Sequence, residues 1–468
     1  MMSDIKFGTD GWRAIIAEDF TVANVARVAY ATGLRIINSD LNKNVVIGHD
    51  CRFGGQLFAE TTAKVIAAMG IKVYLAKGIV STPMISLGAH HFKSGFGVVI
   101  TASHNPASYN GFKLKSAYGG PTIPSEIQLV EDLIPAQAEV PTTSIEELVE
   151  NGKIEYVDLE TMYFNHVEQS FDMETIRNCG MVFAFDAMYG AGQKIVKRLL
   201  PNIVHLHCDE NPSFMGQAPE PLHKNLLEFS KLIADSTDID FGFANDGDAD
   251  RIGCYDSKGN FVDSHHVILL LIHYLYKYKG LRGKVIIAFS VCEKVKQLCA
   301  VLGIECRVTK IGFKYICEIM VNEDVLVGGE ESGGIAIKGH IPERDGVWNA
   351  LTLIEFMAKT GKSLDELIQE IYDLIGPFAF DRYDVHLPEP LKQKIISYCE
   401  ADNFKSFGAF NVQRIEKIDG FKFHLDDNSW VMIRPSGTEP VLRIYSESEN
   451  YEKVIDILNV AKSTVLAI

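Results

Sequence analysis

Three aspartates, Asp246, Asp248 and Asp250, alternate along Asn-Asp-Gly-Asp-Ala-Asp-Arg at 245–251, so their carboxylates can converge on one hard cation. All-oxygen ligands with a phosphate nearby favour Mg2+. A solvated acidic turn is the plainer reading. An EF-hand is disfavoured, because Arg251 and Ile252 stand where further ligands are needed and its closing glutamate is missing. Ser103, in Thr-Ala-Ser-His-Asn-Pro at 101–106, sits where a hydroxyl can be both exposed and held as a nucleophile. A simple turn serine competes with that reading, and no Gly-x-Ser-x-Gly elbow points to a hydrolase. His104 beside it is a base or a structural histidine. Lys113, in Asn-Gly-Phe-Lys, donates charge, carries a proton, or is an ordinary surface lysine.

Two further groups suit a polyhydroxylated anion. Glu330 and Ser332 flank Glu331 in the glycine-bordered stretch 328–334, and a carboxylate accepts from two vicinal hydroxyls in one plane. Ser332 would serve equally as a helix cap. Arg434, Ser436, Gly437 and Thr438 combine a guanidinium, two hydroxyls and accessible backbone N–H groups, which together bind a phosphate dianion.

These groups need a scaffold, and the apolar runs supply one three times over. A first strand is predicted at 45–48, 181–185 and 284–289, a second after a helical stretch at 71–75, 203–206 and 304–308, and a third at 95–100, 240–243 and 324–327. Such alternation predicts βαβ units and a largely parallel sheet, with ligands beyond the carboxyl ends of the strands. The serine, aspartate and glutamate loops each follow a third strand, so they are expected to line one central cleft. From about Pro377 the character changes, with strands at 430–433 and 441–445 around a polar turn at 434–440. The expectation is an α/β protein of four domains: three related βαβ-type mixed-sheet domains at 1–148, 149–259 and 260–374, and a smaller C-terminal α+β domain at 375–468.

Composition bounds the partners. With 468 residues the chain exceeds the size of one core, and 47% hydrophobic against 23% charged residues is a globular balance. A formal net charge of −16 argues against nucleic acid or an anionic membrane surface as partner, so any anionic ligand needs a locally positive site. The nine cysteines are never spaced Cys-x-x-Cys, which predicts reduced thiols, most of them small core residues. No basic patch precedes an apolar stretch near Met1, and the apolar run at 267–271 soon meets His273. A cytoplasmic protein is expected, its oligomeric state left open.

Taken together, the motifs resemble the α-D-phosphohexomutase family of phosphoglucomutases, phosphomannomutases and phosphoglucosamine mutases. The resemblance runs from Phe-Gly-Thr-Asp-Gly-Trp-Arg at 7–13 to Arg-Pro-Ser-Gly-Thr-Glu-Pro at 434–440, nearly the whole chain. It implies that Ser103 carries the phosphate, and that Asp246, Asp248 and Asp250, with the Ser103 oxygen, hold Mg2+. Arg251 would sit beside the phosphoserine, with Arg13 and Lys113 near the transferring group. Glu330 and Ser332 would read the sugar hydroxyls O3 and O4, and Arg434, Ser436, Gly437 and Thr438 would hold the phosphate that is not reacting. A phosphosugar substrate and a hexose 1,6-bisphosphate intermediate and activator follow from the same resemblance.

One departure bears on the sugar. Many relatives of broad or amino-sugar specificity end the sugar loop in Ser-Gly-His, whereas Gly334 follows Gly333 here. No imidazole can act from that position, and Lys113 becomes the expected proton carrier. The Glu-Glu-Ser form is more similar to that of phosphoglucomutases than the Gly-Glu-Gln-Ser form of glucosamine mutases. Glucose phosphate is therefore expected first, with mannose phosphate, its C2 epimer, open. A phosphosugar phosphatase would release inorganic phosphate without isomerised sugar, and an idle phosphosugar-binding regulator would bind without turnover.

Overall fold

The strand Phe96–Ile100 is buried at every position, as a strand covered on both faces must be. In the structure, a computed structural model that describes residues 5–435 and 441–468, this strand lies inside a seven-stranded mixed sheet. Asn44–His49 pairs with it in parallel, and Lys72–Ile79 and Ile154–Val157 continue in parallel outward. On its other side Tyr109–Ser116 returns antiparallel, and Trp12–Ile15 closes that edge. The helices Val22–Ile37 and Gly55–Ala68 cover the sheet with Val25, Val28, Phe58 and Ile66 buried against Val45, Ile47 and Val98. Each such fully buried aliphatic side chain contributes roughly 1.5–3 kcal/mol.

Two compact units make up the chain: residues up to Lys284 with Gly312–Leu367, and Val285–Ile311 with Ile368–Ile468. The first unit holds the sheet above and a second, five-stranded one, in which Val182–Asp186 pairs in parallel with both Val204–Leu206 and Ile239–Asn245. Ile252–Tyr255 then folds back antiparallel on Ile239–Asn245, leaving the aspartates in the connection. A third hairpin, Val325–Gly329 with Ile335–Ile337, encloses residues 330–334. The helix Gly346–Thr360 follows, capped by Asp345, whose side chain accepts from Trp348 N.

In the second unit residues 285–288 pair in parallel with Cys306–Thr309 across the helix Glu293–Leu302, which ends on Gly303 in the left-handed conformation. Its other part is a six-stranded antiparallel sheet of Ser406–Phe407, Phe410–Glu416, Phe421–Leu425, Trp430–Pro435, Val441–Ser448 and Ala379–His386. Helices Glu389–Glu400 and Tyr451–Leu466 bury Ile395, Ile457 and Leu458 against it. Lys422 joins the two parts, its ammonium 4.3 Å from the Trp430 ring centroid, 4.8 Å from that of Phe289 and 3.3 Å from Glu293.

The expected α/β architecture with a smaller C-terminal domain is present, and all nine strands read from the three repeats are found. All nine cysteines are free thiols, six of them buried. Among the described residues no helix is long and apolar enough to cross a membrane.

Candidate active site

The serine loop and the aspartate loop meet at their tips. Ser103 Oγ donates to Asp246 Oδ2 at 2.7 Å and lies 3.2 Å from His104 Nδ1. Ser103 has a φ of 52°, left-handed backbone that a serine adopts only where its surroundings enforce it. The enforcement is visible. The buried Arg52 guanidinium donates to the carbonyls of Ser103 and Asn105 at 2.6 Å, Pro106 at 2.8 Å and Tyr109 at 3.0 Å. Asp50 orients Arg52 at 3.3 Å and accepts from Thr101, whose hydroxyl accepts from Ser103 N. Gly247 permits the close approach, since a Cβ there would stand 2.4 Å from the Ser103 carbonyl oxygen.

The three aspartates are wholly buried, with one ligand oxygen from each within 4.8 Å of the others. Each is oriented by neighbours. Asp246 Oδ1 accepts from the backbone N–H of Asp250 and Arg251, both at 3.0 Å. Asp248 Oδ2 takes the Thr82 hydroxyl and Lys113 Nζ, the latter at 2.8 Å, and Asp250 Oδ2 takes Lys113 at 3.2 Å and Arg344 at 2.6 Å. Thr82 opens the helix Thr82–His91, and its N–H also holds the Asp248 carbonyl at 3.0 Å. The other oxygens, Asp248 Oδ1 and Asp250 Oδ1, are buried without a hydrogen bond. A buried carboxylate oxygen left so is costly, and a cation held by the triad would satisfy both. The residues present fit a hard divalent metal.

Charge is balanced unevenly across the triad. Burial, then Asp250 and Asp248, push the Asp246 carboxyl well above the usual carboxylate range. Burial works the same way on Asp248, but Lys113, Thr82 and Arg344 outweigh it and hold that carboxyl below its ordinary value. Lys113 is wholly buried rather than on the surface, and Asp10 at 2.8 Å is its third carboxylate partner. Burial alone would lower its ammonium, yet Asp10, Asp248 and Asp250 raise it above the ordinary lysine value. His104 is the opposite case: burial first, then Arg251, Arg13, Lys113 and Arg52, keep its imidazole neutral well below the usual histidine value.

Around this centre Arg13 NH1 donates to Asn105 Oδ1 at 2.6 Å, two residues past the serine, and Arg251 NH1 stands 3.7 Å from Glu220. Glu330 is buried, accepts from Gly312 N at 3.1 Å and lies 3.8 Å from Arg344 NH1. Burial pushes its carboxyl up to about 7, against the pull of Arg344. Ser332 lies half-buried in the same loop, which the Ser264 hydroxyl holds through the Glu331 carbonyl. In the second unit Arg434 is paired with Asp419 at 3.3 Å, while Ser436, Gly437 and Thr438 lie outside the described residues. Asp10, Asp50, Arg52, Thr82 and Arg344 were not singled out from the sequence. Asp50 and Arg52 pair with each other, but the site partners of Arg52, Thr82 and Arg344 lie far along the chain, and only Asp10 falls within a motif already noted.

Known proteins resemble the chain over nearly its whole length. The chain matches the phosphoglucomutase/phosphomannomutase α/β/α domain I over residues 4–140, domain II over 161–259, domain III over 263–375 and the C-terminal domain over 397–459. It is 28% identical over 457 residues to a phosphoglucomutase/phosphomannomutase of Thermococcus kodakarensis, covering 97% of this chain and 96% of the relative. It is 30% identical over 475 residues to a phosphoglucosamine mutase of Prochlorococcus marinus, covering 98% and 97%. A crystal structure of a Thermus thermophilus protein named for phosphomannomutase superposes with a TM-score of 0.88 at 34% identity, over 99% of this chain and 100% of that one. The chain belongs to the phosphoglucomutase/phosphomannomutase family of the α-D-phosphohexomutases, with all four domains. It is a phosphohexomutase, an intramolecular phosphotransferase.

Proposed function

We propose that the protein interconverts glucose 1-phosphate and glucose 6-phosphate through a phosphoserine at Ser103 and a glucose 1,6-bisphosphate intermediate, which also serves as activator. The observation that carries this reading is Ser103 Oγ, held in strained backbone 2.7 Å from a buried aspartate and 3.2 Å from His104, on whose imidazole the charges of Arg251, Arg13 and Lys113 act. In the first half-reaction the phosphoryl group leaves Ser103 Oγ for a sugar hydroxyl oxygen, which gives up its proton, and Ser103 Oγ takes one up to become the free hydroxyl. The bisphosphate then turns over, and its other phosphoryl group returns to Ser103. Positioning and charge compensation do most of the work in such a transfer.

Asp246, Asp248 and Asp250, with the Ser103 oxygen, would hold Mg2+. When bound, it offsets negative charge on the transferring phosphoryl group. Lys113 is locked as a cation by three carboxylates, so its part is fixed charge rather than proton carriage. Neutral His104, 3.2 Å from Ser103 Oγ, is better placed to take the proton. Glu330 and Ser332 read two sugar hydroxyls, while Arg434, Ser436, Gly437 and Thr438 hold the non-reacting phosphate. In domain terms, 1–148 bears the phosphoserine, 149–259 the metal, 260–374 the sugar contacts and 375–468 the distal phosphate. Nine free thiols suit a cytoplasmic enzyme.

The choice of glucose rests on the Glu330-Glu331-Ser332 loop and on Gly334. It is tested by turnover of glucose, mannose and glucosamine 1-phosphates with Mg2+ and a trace of hexose 1,6-bisphosphate. Glucose 1-phosphate turning over fastest supports the assignment. A faster mannose or glucosamine substrate replaces the sugar, and phosphate release without isomerisation overturns the mutase reading.

A further inference from the structure

Arg344 touches both halves of the site. Its NH2 pairs with Asp10 and, at 2.6 Å, with Asp250, while NH1 faces Glu330 at 3.8 Å and the guanidinium lies 5.4 Å from the Phe313 ring centroid. Only 5% of the side chain is exposed. One planar cation therefore joins the aspartate loop, the sugar loop and the chain near Arg13, a task that suits the rigid fork of arginine. Its backbone is fixed, because the next residue, Asp345, caps the helix Gly346–Thr360.

The route of this side chain runs past Gly334. A Cβ at Gly334 would stand 2.5 Å from Arg344 Cδ, 3.3 Å from Arg344 Cγ and 3.3 Å from Glu330 Oε2. Gly334 is not among the glycines of positive φ, so its backbone would accept any residue. What forbids a side chain there is the arginine. The loop is otherwise well pinned: Glu330 N donates to the Gly334 carbonyl at 3.0 Å, and Gly334 forms an antiparallel bridge with Arg251.

We propose that Arg344 is a positioning residue that sets the sugar-reading Glu330 against the aspartate loop, and that residue 334 is glycine because Arg344 fills the space a side chain there would occupy. The two positions act as one unit. Any larger side chain at 334, an imidazole included, is incompatible with Arg344 in this place, so the pair also fixes which kind of sugar loop the chain can carry. The inference rests on the mutase reading for the role of Glu330.

The test compares Gly334→Ala, Arg344→Ala, Arg344→Lys and the Gly334→Ala/Arg344→Ala double variant. Calorimetric binding of glucose 6-phosphate to the metal-free protein is followed against pH, beside turnover of the magnesium-loaded enzyme. Expected are losses in kcat of about 100-fold for each of the two alanine variants, with no further loss in the double variant. Both alanine changes should move the pH midpoint of binding upward, since each takes the cation from Glu330, whereas Arg344→Lys keeps the midpoint near that of the parent. Multiplying losses in the double variant, or an unmoved midpoint in Gly334→Ala, would overturn the proposal. If Arg344→Ala does not fold, the midpoints of Gly334→Ala and Arg344→Lys decide alone. If the parent binds glucose 6-phosphate without isomerising it, the glucose assignment fails while the midpoint shift still decides the role of Arg344.

Discussion

Ser103 Oγ and Asp246 Oδ2 are 143 residues apart in sequence and 2.7 Å apart in the structure. The first follows a strand of the seven-stranded sheet and the second follows a strand of the five-stranded sheet, so the nucleophile and the candidate metal loop are brought together by docking of two domains. Asp246→Ala should remove both the hydrogen bond and a metal ligand, and chelation should mimic it. Turnover is expected to fall to background in either case, with Mg2+ restoring only the parent. The parent should also gain thermal stability on adding Mg2+, as binding to the folded state alone requires. An Asp246→Ala variant that still gained this stability would locate the metal elsewhere.

Lys113 compensates three carboxylates in the interior. Lys113→Met leaves Asp10, Asp248 and Asp250 close together without their shared cation, and breaking a buried pair in this way costs about 3–5 kcal/mol. A large fall in the urea midpoint, with turnover largely lost and not recovered by raising pH, is the expected outcome. Turnover retained in this variant would exclude Lys113 from the mechanism.

Glu330, with its carboxyl raised to about 7 by burial, predicts a pH dependence of defined sign. Its ionised form accepts from two sugar hydroxyls, so kcat/KM should decline as pH falls below about 7. Stability runs the other way. The folded state holds this proton more tightly than the unfolded state, so the contribution is full below the unfolded value and is lost as pH rises through 7. Glu330→Gln should abolish the acid limb in kcat/KM and gain stability relative to the parent as pH rises through this range. An unchanged acid limb in Glu330→Gln would assign it to another group.

Arg52 bonds four carbonyls of the serine loop without touching the reacting atoms. Arg52→Met strands those buried acceptors, at a cost of about 1–3 kcal/mol each if unrelieved. Because Ser103 then loses its imposed conformation, kcat should fall by more than tenfold while KM changes little. A rise in KM alone would show that Arg52 shapes sugar binding instead.

Much of this organisation was legible in the sequence. The nine strands were readable because each is a short apolar run, and the serine, aspartate and glutamate loops stood out because each follows the third run of its repeat. Asp50, Arg52, Thr82 and Arg344 were not legible, since a polar residue in a connecting segment carries no periodicity of its own. Their meaning comes from partners such as Asp248 for Thr82 and Asp10 for Arg344. The sequence places Lys113 near the chemistry, yet a surface lysine is the commoner reading of such a residue. The strand Tyr109–Ser116 buries both faces, so Lys113 and Lys115 are enclosed along with Phe112 and Leu114. Nothing local distinguishes a buried lysine with three acidic partners from a solvated one.

The most direct test of the central claim is to incubate the protein with glucose 1,6-bisphosphate, map the phosphorylated residue by mass spectrometry, and then add glucose 6-phosphate. The account predicts phosphate on Ser103, discharged by the sugar phosphate with recovery of bisphosphate, and none in Ser103→Ala, which should also lack turnover. Phosphate on another residue, or full turnover in Ser103→Ala, would contradict it.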